Sequence, residues 1–360
     1  MQKLEITRYN LGVDFASKKF DVKLAANYQD NSRKIISSRK FENNPQGFRE
    51  LDGWIQQKCK DKKVEVRISG EATGVYHERC CYYLHDKGYY VTIAVPSRVK
   101  RYKESCGYKS KDDNVDATAL AYMGLEKNLD KWEPINSFYY DLRSLTRHYE
   151  SVQEMETVLR NQLHAEQSGM FASKAVIHQL KAGIKLFSSQ SETLKRAIEE
   201  KIATEPAVKE KVCGITDNLK GVAVLTIATV IGETNGFSFF ANRRQVTSYA
   251  GYDVLRDQSG KREGKTKISK KGNAHIRRAL YFPAINVVKS EMNPFANKYH
   301  RIYEKNRIKM KGYTAIQKDL LMMIYTLWKN NKKYDPNYNH QEKRLKAVTS
   351  GDCEAVPSFG

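Results

Sequence analysis

The chain has 360 residues, enough for two or three domains that each bury an apolar core. Its 62 Lys and Arg residues outnumber 41 Asp and Glu residues, and the net charge of +21 indicates a polyanionic partner, either nucleic acid or an acidic membrane surface. No apolar run reaches the roughly 18 residues of a membrane span, and the first residues lack the apolar segment of a signal peptide. The six cysteines lack metal-type spacing and are expected to be reduced thiols in the cytoplasm, where nucleic acid is the leading partner.

Strand and helix patterns alternate up to about residue 135. Three short strands are predicted at NLGVDFA, FDVKLAA and KIISSRKF, followed by a helix that begins at Pro45. A fourth strand at VEVRISG, a helix at VYHERCCYYLHDKG and a fifth strand at YYVTIAVP come next, and the segment KDDNVDATALA opens another helix. This β-β-β-α-β-α-β-α order predicts an α/β domain of the RNase H-like (RuvC-type) fold over residues 1–135.

The pattern changes to a helical period after residue 135. Apolar residues follow alternating four- and three-residue steps, interrupted only by Glu156, at Phe138, Leu142, Leu145, Tyr149, Val152, Leu159 and Leu163. This heptad pattern predicts an α-helical coiled-coil segment over residues 136–205, either as a helical hairpin or as a dimer-forming coiled coil. Residues 206–332 are predicted to form a second, mainly α-helical domain with a Gly- and Lys-rich loop, and the polar residues 333–360 are expected to be disordered.

Four carboxylates of the first domain are candidates for one site. Asp14 ends the first strand, Glu71 follows the fourth, and Asp113 and Asp116 lie at i and i+3 at a helix start. Because the first and fourth strands are neighbours in an RNase H-like sheet, we expect these side chains to meet at one sheet end. Such a cluster repels itself unless cations neutralise it, and Mg²⁺ (or Mn²⁺) prefers oxygen ligands of this kind. Two ions about 4 Å apart stabilise both the attacking and the leaving oxygen of a phosphodiester.

Other interpretations of the same residues stay open. Asp14 alone fits a turn at a strand end, and Glu71 alone fits a helix cap. Asp112 is best explained as a residue that caps the helix. The segment GVDFASKKFDV is also typical of the first phosphate loop of sugar kinases, but no second phosphate loop follows it.

The segments GVDFASKKFDV, EATGVYHE and VPSRVKRYKESCGYKSKDDNVDATALA together resemble the DEDD transposases of insertion sequences, the IS-one-ten family. The segment SYAGYDVLRDQSGKREGKTKISKKGNAHIRRALY is similar to that family's second transposase domain. The resemblance implies an RNase H-like DEDD domain, a coiled coil and a C-terminal domain with a nucleophilic serine. It also implies DNA cutting and rejoining guided by a structured bridge RNA, and dimers that pair into tetramers.

The basic loop RDQSGKREGKTKISKKGN surrounds Ser259 with glycines, lysines and arginines, which suit the close approach of a phosphate. A serine hydroxyl there could attack phosphorus and conserve the bond energy as a covalent phosphoserine. Ser259 also fits a plain turn residue, and Ser269 is a competing position; the family resemblance favours Ser259 as nucleophile. No His–Asp partner is evident locally, so we expect activation by the metal-bound carboxylates across a subunit interface.

A second basic tract, SRVKRYKESCGYKSK, leads directly into the acidic segment and is interpreted as a guide for the phosphate backbone, with Tyr102 and Tyr108 as candidates for stacking on unpaired bases. The predicted nucleic-acid contacts are Arg98, Lys100, Arg101, Lys103, Lys261, Arg262, Lys265, Lys267, Lys270, Lys271, Arg277 and Arg278. No base-reading motif is evident, which fits sequence choice through RNA pairing.

The sequence is therefore expected to encode a bacterial, nucleoid-associated transposase that acts as an RNA-guided DNA recombinase. An alternative is a metal-dependent junction-resolving nuclease that uses water and forms no covalent intermediate. A second alternative is a nucleic-acid-binding protein without enzymatic activity.

Overall fold

The computed structural model describes residues 5–72, 74–108, 113–255, 258–259, 262–263, 267–292 and 294–335. At positions 113, 114, 258, 259, 262 and 263 the description covers the backbone alone. The chain forms two compact units, Met1–Pro134 and Ile135–Gly360, each with its own apolar core. The predicted disordered tail lies outside the described residues from position 336 onward, so that expectation stays a prediction.

The first unit is built around a five-stranded sheet. Its strands are β1 (Ile6–Phe15), β2 (Lys19–Tyr28), β3 (Arg33–Glu42), β4 (Glu65–Glu71) and β5 (Tyr90–Ala94). The strand order is β3-β2-β1-β4-β5, with β1 antiparallel to β2, β2 antiparallel to β3, and β4 parallel to both β1 and β5. The predicted RNase H-like arrangement, with the first and fourth strands adjacent, is confirmed.

In the described residues of this unit, α1 (Pro45–Lys58), α2 (Glu78–Asp86) and α4 (Asp113–Glu126) pack on the sheet, and α3 (Pro96–Ser105) packs on α4. Side chains alternate between the two faces of a strand, so β1 contributes to two layers. Leu11, Val13 and Phe15 belong to a buried cluster with apolar side chains of α1 and α2. Residues of the opposite parity, Asn10 and Gly12, face α4.

Helix α3 was not predicted, because its sequence PSRVKRYKES is dominated by charge. Pro96 suits the first helical turn, and Val99 and Tyr102 form an apolar stripe one turn apart. Both are buried against Leu120 and Met123 of α4, and Tyr102 is only 6% exposed. The interpretation of Tyr102 as a base-stacking residue is therefore wrong, because its ring belongs to the core.

The second unit begins with two long helices, α5 (Ser137–Ser168) and α6 (Lys174–Ala203), which pack along one another. Glu156, the polar interruption of the heptad pattern, is buried there; it accepts a 2.9 Å hydrogen bond from Ser188 Oγ and pairs with Arg160. Buried carboxylates persist only when they are paired in this way. The existence of a coiled coil between chains stays a prediction.

The remaining helices of this unit are α7 (Pro206–Thr216), α8 (Val224–Thr234), α9 (Arg243–Tyr249), α10 (Ala274–Ala279), α11 (Tyr281–Lys289), α12 (Phe295–Asn306) and α13 (Lys309–Lys329). The sequence NAHIRRALYFPAINVVK predicts one continuous helix over residues 273–289, whereas the structure has two helices that meet at Leu280. Pro283 accounts for the break, since it has no N–H to donate to the preceding turn. Helix α12 was not predicted.

The described residues between α9 and α10 include the two-residue strands β6 (Val254–Leu255), β7 (Gln258–Ser259), β8 (Arg262–Glu263) and β9 (Lys267–Ile268). β6 pairs with β9, and β7 pairs with β8. The five cysteines within the described residues are all free thiols, as predicted. No helix in the described ranges is long and apolar enough to cross a membrane.

Candidate active site

Two of the predicted carboxylates leave the sheet at the same edge. Val13 of β1 is paired with Gly70 of β4, and Asp14 and Glu71 are the residues that follow this pair. Neighbouring strands lie about 4.8 Å apart, so the parallel register brings Asp14 and Glu71 side by side at the carboxyl ends of their strands. Parity within each strand places Asp14 on the face of Gly12, and Glu71 on the face of Ser69.

Helix α4 lies directly on that face. A Cβ atom on Gly12 would stand 2.0 Å from the carbonyl oxygen of Ala117 and 2.2 Å from the amide nitrogen of Ala121. Further along the helix, a Cβ on Gly124 would stand 2.2 Å from Ser69 Oγ. The helix therefore runs opposite to β1, and its N-terminal turn lies towards the strand end that carries Asp14.

This direction of α4 brings the other two predicted acids to the same edge. Asp116 immediately precedes Ala117, the residue that contacts Gly12, and its side chain is described. Asp113 is the first residue of α4, one turn earlier, and its side chain lies outside the described part. Acidic residues in a first helical turn also complement the helix dipole. Asp112 lies outside the described residues.

A buried polar network holds α4 in this register, and it was not predicted. Thr92 Oγ1 donates to Ser69 Oγ at 2.9 Å, Ser69 Oγ donates to Asn10 Oδ1 at 3.0 Å, and Asn10 Nδ2 donates to the carbonyl of Ala121 at 2.8 Å. All three polar side chains are almost fully buried. An asparagine inside the apolar strand RYNLGVDF, spaced evenly with Gly12 and Asp14, was the signal available in the sequence.

At this sheet edge, burial and a neighbouring carboxylate both affect the ionisation of Glu71. Burial raises the pKa of the Glu71 carboxyl above its ordinary value, and the negative charge of Asp116 raises that pKa further, whereas the Lys103 ammonium lowers it. Asp116 and Lys103 are thus near enough to Glu71 to act on its ionisation. A divalent cation suits such a set, since it supplies the positive charge that half-buried carboxylates lack.

The described side chains at this edge do not form a complete set of metal ligands. Within the described residues, no group of three or more His, Cys, Asp or Glu side chains is positioned to hold a metal ion. The Asp116 carboxylate forms an ion pair with the Lys103 ammonium. The four-acid metal site therefore stays a prediction.

The basic residues before α4 differ in what they contact. Lys103 is only 18% exposed in its side chain and points at Asp116. Lys100, on the same helix, is 77% exposed and lies 3.9 Å from Glu104. Arg98 is exposed as well, and Arg101 Nε donates to the carbonyl of Ser97 at 3.1 Å. The predicted contacts of these four residues with nucleic acid are untested.

The predicted nucleophile lies in the second unit. Ser259 is the second residue of β7 and is paired with Arg262 of β8, and the description of both covers the backbone alone. Lys261 and Lys265 lie outside the described residues. The competing Ser269 is described: its hydroxyl donates to the carbonyl of Gly251 at 3.3 Å and accepts from the amide of Lys271 at 3.3 Å.

The base of this serine loop, where it joins α10, is bonded to a buried carboxylate, Glu233, whose ion pair with the partly exposed Arg147 was not predicted. Glu233 is 1% exposed and receives two hydrogen bonds from Arg147, at 2.6 and 2.8 Å. Asn273, which caps α10, donates to the same carboxylate at 2.6 Å. Burial alone would raise the pKa of Glu233, but the bonds and charge of Arg147 hold that pKa below its ordinary value.

Two arginines that were predicted to bind nucleic acid form bonds with protein groups near the start of α10. Arg277 Nη1 donates to the carbonyls of Ala250, Gly272 and Asn273, at 2.8, 3.2 and 3.1 Å. Arg278 pairs with Glu150 and Glu154 of α5. Lys267, Lys270 and Lys271 of the loop are exposed, and Arg278 is exposed as well. The predicted nucleic-acid contacts of all five residues remain untested.

Comparisons with known proteins show which families and structures the chain is similar to. Residues 11–171 match the model of the DEDD transposases of the IS110 family, and residues 214–301 match the model described as transposase IS116/IS110/IS902 family. The pilin gene-inverting proteins of Moraxella bovis and Moraxella lacunata are each 25% identical, with 90% of this chain and 97% of theirs aligned. The RuvC structure from Thermus thermophilus aligns with 34% of this chain and 99% of its own length, at 10% identity and a TM-score of 0.27.

The sheet and its acidic edge are those of a DEDD-type DNA transposase. Together the two family matches cover more than half of the chain. The chain belongs to the IS110 family of transposases, and it is an enzyme of the transposase and recombinase class that acts on DNA.

Proposed function

We propose that this transposase is an RNA-guided DNA recombinase that cuts and rejoins strands through a metal-bound DEDD site and a covalent serine intermediate. What supports the proposal is the register of β1 and β4, which sets Asp14 beside Glu71 at one sheet edge, and the position of Asp116 in the first turn of α4, near enough to raise the pKa of Glu71. Asp113, one turn before Asp116 on α4, supplies the fourth carboxylate.

The fold family implies a divalent metal, and we assign Mg²⁺, with Mn²⁺ as a substitute. Asp14, Glu71, Asp113 and Asp116 would hold it, and when bound it would stabilise negative charge on the reacting phosphodiester. The raised pKa of Glu71 supports this role, because burial first and the charge of Asp116 second disfavour its ionised form, and a bound cation favours that form. The fold holds these acids rigidly. Two of them lie at strand ends, and the other two lie on α4, which the buried polar network around Asn10 fixes to the sheet.

Ser259 is the proposed nucleophile. Its Oγ attacks the phosphorus, the bond between phosphorus and one deoxyribose oxygen breaks, and the serine proton is passed on so that the leaving oxygen departs as a hydroxyl. A DNA hydroxyl then attacks the phosphoserine, which joins the new strand and returns the proton to Ser259. Ser269 is less suited, because its hydroxyl already bonds the backbone at Gly251 and Lys271.

The relatives support recombination rather than hydrolysis. They are named for inverting a pilin gene, and inversion requires that every cut strand be joined again. A covalent intermediate conserves the energy for that joining. We further propose that a structured bridge RNA selects the DNA and that dimers pair into tetramers, so that Ser259 of one chain acts with the carboxylates of another.

The test is to trap the intermediate. Purified protein with its bridge RNA is incubated with labelled DNA carrying the element end and Mg²⁺, then denatured, and the label that migrates with protein is measured. We expect an adduct for the wild type and for Ser269→Ala, and none for Ser259→Ala or Asp14→Ala. An adduct that persists in Ser259→Ala would overturn the serine assignment.

The same experiment separates the rival functions. Cleavage without any adduct in the wild type identifies a nuclease that uses water. DNA binding without cleavage, unchanged in Asp14→Ala, identifies a binding protein with inactive carboxylates. Omitting the RNA tests the guide: sequence-specific cleavage that does not need RNA contradicts that part of the proposal.

A further inference from the structure

Lys103 contacts the acidic edge. Its ammonium pairs with the Asp116 carboxylate, and the two side chains are 18% and 28% exposed. A fully exposed lysine would gain little from such a pair, because water and salt screen it. This pair is shielded and lies beside Glu71, so Lys103 supplies positive charge where the carboxylates crowd one another.

Helix α3 holds Lys103 in this place. Val99 and Tyr102 are buried against Leu120 and Met123 of α4, so the helix that carries Lys103 is docked on the helix that carries Asp116. The main chain at Lys103 is thus fixed relative to Asp116, while its flexible four-carbon side chain can swing away. Lys100, one turn away on α3, is exposed and does not share this environment.

We propose that Lys103 is a built-in counter-ion that competes with the divalent metal for Asp116 and gives way when DNA phosphate draws its ammonium off. This inference rests on the proposed metal site, since it concerns how that site is loaded. In the metal-free protein, Lys103 neutralises one carboxylate of the cluster. When DNA arrives, the ammonium exchanges the carboxylate for a phosphate oxygen, and Asp116 becomes available to the cation.

The consequence is coupling between two ligands. If DNA removes the competitor of the metal, DNA must tighten metal binding, and the metal must tighten DNA binding by the same factor. A site loaded only in the presence of DNA would avoid cutting before the substrate is in position. Lys103 would then be a positioning residue rather than a catalytic one.

The test measures Mn²⁺ binding to the full chain by calorimetry, without DNA and then with an uncleavable phosphorothioate duplex. We expect Lys103→Met to bind Mn²⁺ more tightly than the wild type without DNA, on the order of fivefold or more, as for typical coupling energies. Duplex DNA should tighten binding in the wild type by a similar factor and have little effect in Lys103→Met. Lys103→Arg keeps the competing charge and should resemble the wild type.

Matched control variants distinguish a failure of the counter-ion proposal from a failure of the proposed metal site. Lys100→Met removes an exposed lysine of the same helix and should leave Mn²⁺ affinity unchanged. Asp116→Asn should lose Mn²⁺ binding; if it binds Mn²⁺ as the wild type does, the proposed metal site itself is wrong. If Asp116→Asn loses binding while Lys103→Met binds Mn²⁺ as the wild type does, the counter-ion proposal is overturned and the metal site stands. Should Lys103→Met fold poorly, absence of DNA coupling in the wild type would overturn the proposal by itself.

Discussion

The side-chain amide of Asn10 donates a 2.8 Å hydrogen bond to the carbonyl oxygen of Ala121, across 111 positions of sequence. This bond joins the central strand to the helix that carries Asp113 and Asp116. Both ends are buried, and Ser69 and Thr92 continue the network into β4 and β5. The acidic edge therefore depends on polar contacts in the core as well as on apolar packing.

Asn10→Ala is expected to destabilise the protein by about 1–3 kcal/mol, because the buried Ser69 hydroxyl loses its acceptor. Urea denaturation followed by circular dichroism measures this change. Asn27→Ala is the matched control, since Asn27 makes a comparable 2.9 Å bond to Thr7 Oγ1 at an exposed position and should change stability by about 0.5 kcal/mol or less. Equal losses in both variants would contradict a special role for the buried network.

Gly12→Ala is expected to abolish DNA cleavage and to weaken metal binding. Its Cβ would collide with the backbone of α4 at Ala117 and Ala121, at 2.0 and 2.2 Å, so the helix and its carboxylates must move. Gly53→Ala is the control, because a Cβ there meets nothing within 4 Å and alanine is the better helix former by about 1 kcal/mol. Normal cleavage by Gly12→Ala would show that the position of α4 is not critical.

Glu233 predicts a pH dependence of stability. Its pKa in the folded protein is held below the ordinary value of 4.5 by Arg147, so its stabilising contribution is present above pH 4.5 and is lost as pH falls through the folded pKa. Glu233→Gln should therefore destabilise the protein at pH 7 by about 1–3 kcal/mol, since Arg147, which is 44% exposed and partly screened by water, loses its charged partner. The difference from the wild type should shrink under acidic conditions.

Urea denaturation at several pH values between 3 and 7 measures this effect. Glu210→Gln, at an exposed carboxylate on α7, is the control and should be near neutral at every pH. A Glu233→Gln penalty that is constant across this range would show that the ionised carboxylate does not supply the stability.

Lys271→Ala is expected to weaken DNA or RNA binding and to reduce its salt dependence. An exposed lysine that neutralises one phosphate releases one counterion, so the slope of log K against log salt should fall by about 0.9. Filter binding between low and moderate salt measures the slope. Lys209→Ala removes an exposed lysine of α7 and should leave the slope unchanged; an identical effect in both variants would indicate nonspecific attraction only.

Much of the site could be predicted, because the order of strands and helices along the chain indicates which strands are neighbours in the sheet. The apolar runs around Asp14 and Glu71, and their order along the chain, were enough to predict neighbouring parallel strands and hence a shared sheet edge. The i, i+3 spacing of Asp113 and Asp116 at the start of a helix added them as partners, and the family resemblance agreed with that choice. Local period and turn residues determine such elements, and these are properties of the sequence itself.

Other features depend on contacts between distant residues. The charge of PSRVKRYKES concealed helix α3, because two apolar residues per ten are too few to show a period, and only its packing on α4 explains the burial of Tyr102. In the sequence, Lys103 and Lys100 are equivalent lysines of one basic tract. In the structure, Lys103 faces the Asp116 carboxylate, whereas Lys100 is exposed. The sequence by itself determined which strands form and which acids terminate them. Only the tertiary structure decided which of two similar lysines faces Asp116 and which glycine admits α4, because both depend on distances between elements far apart in the chain.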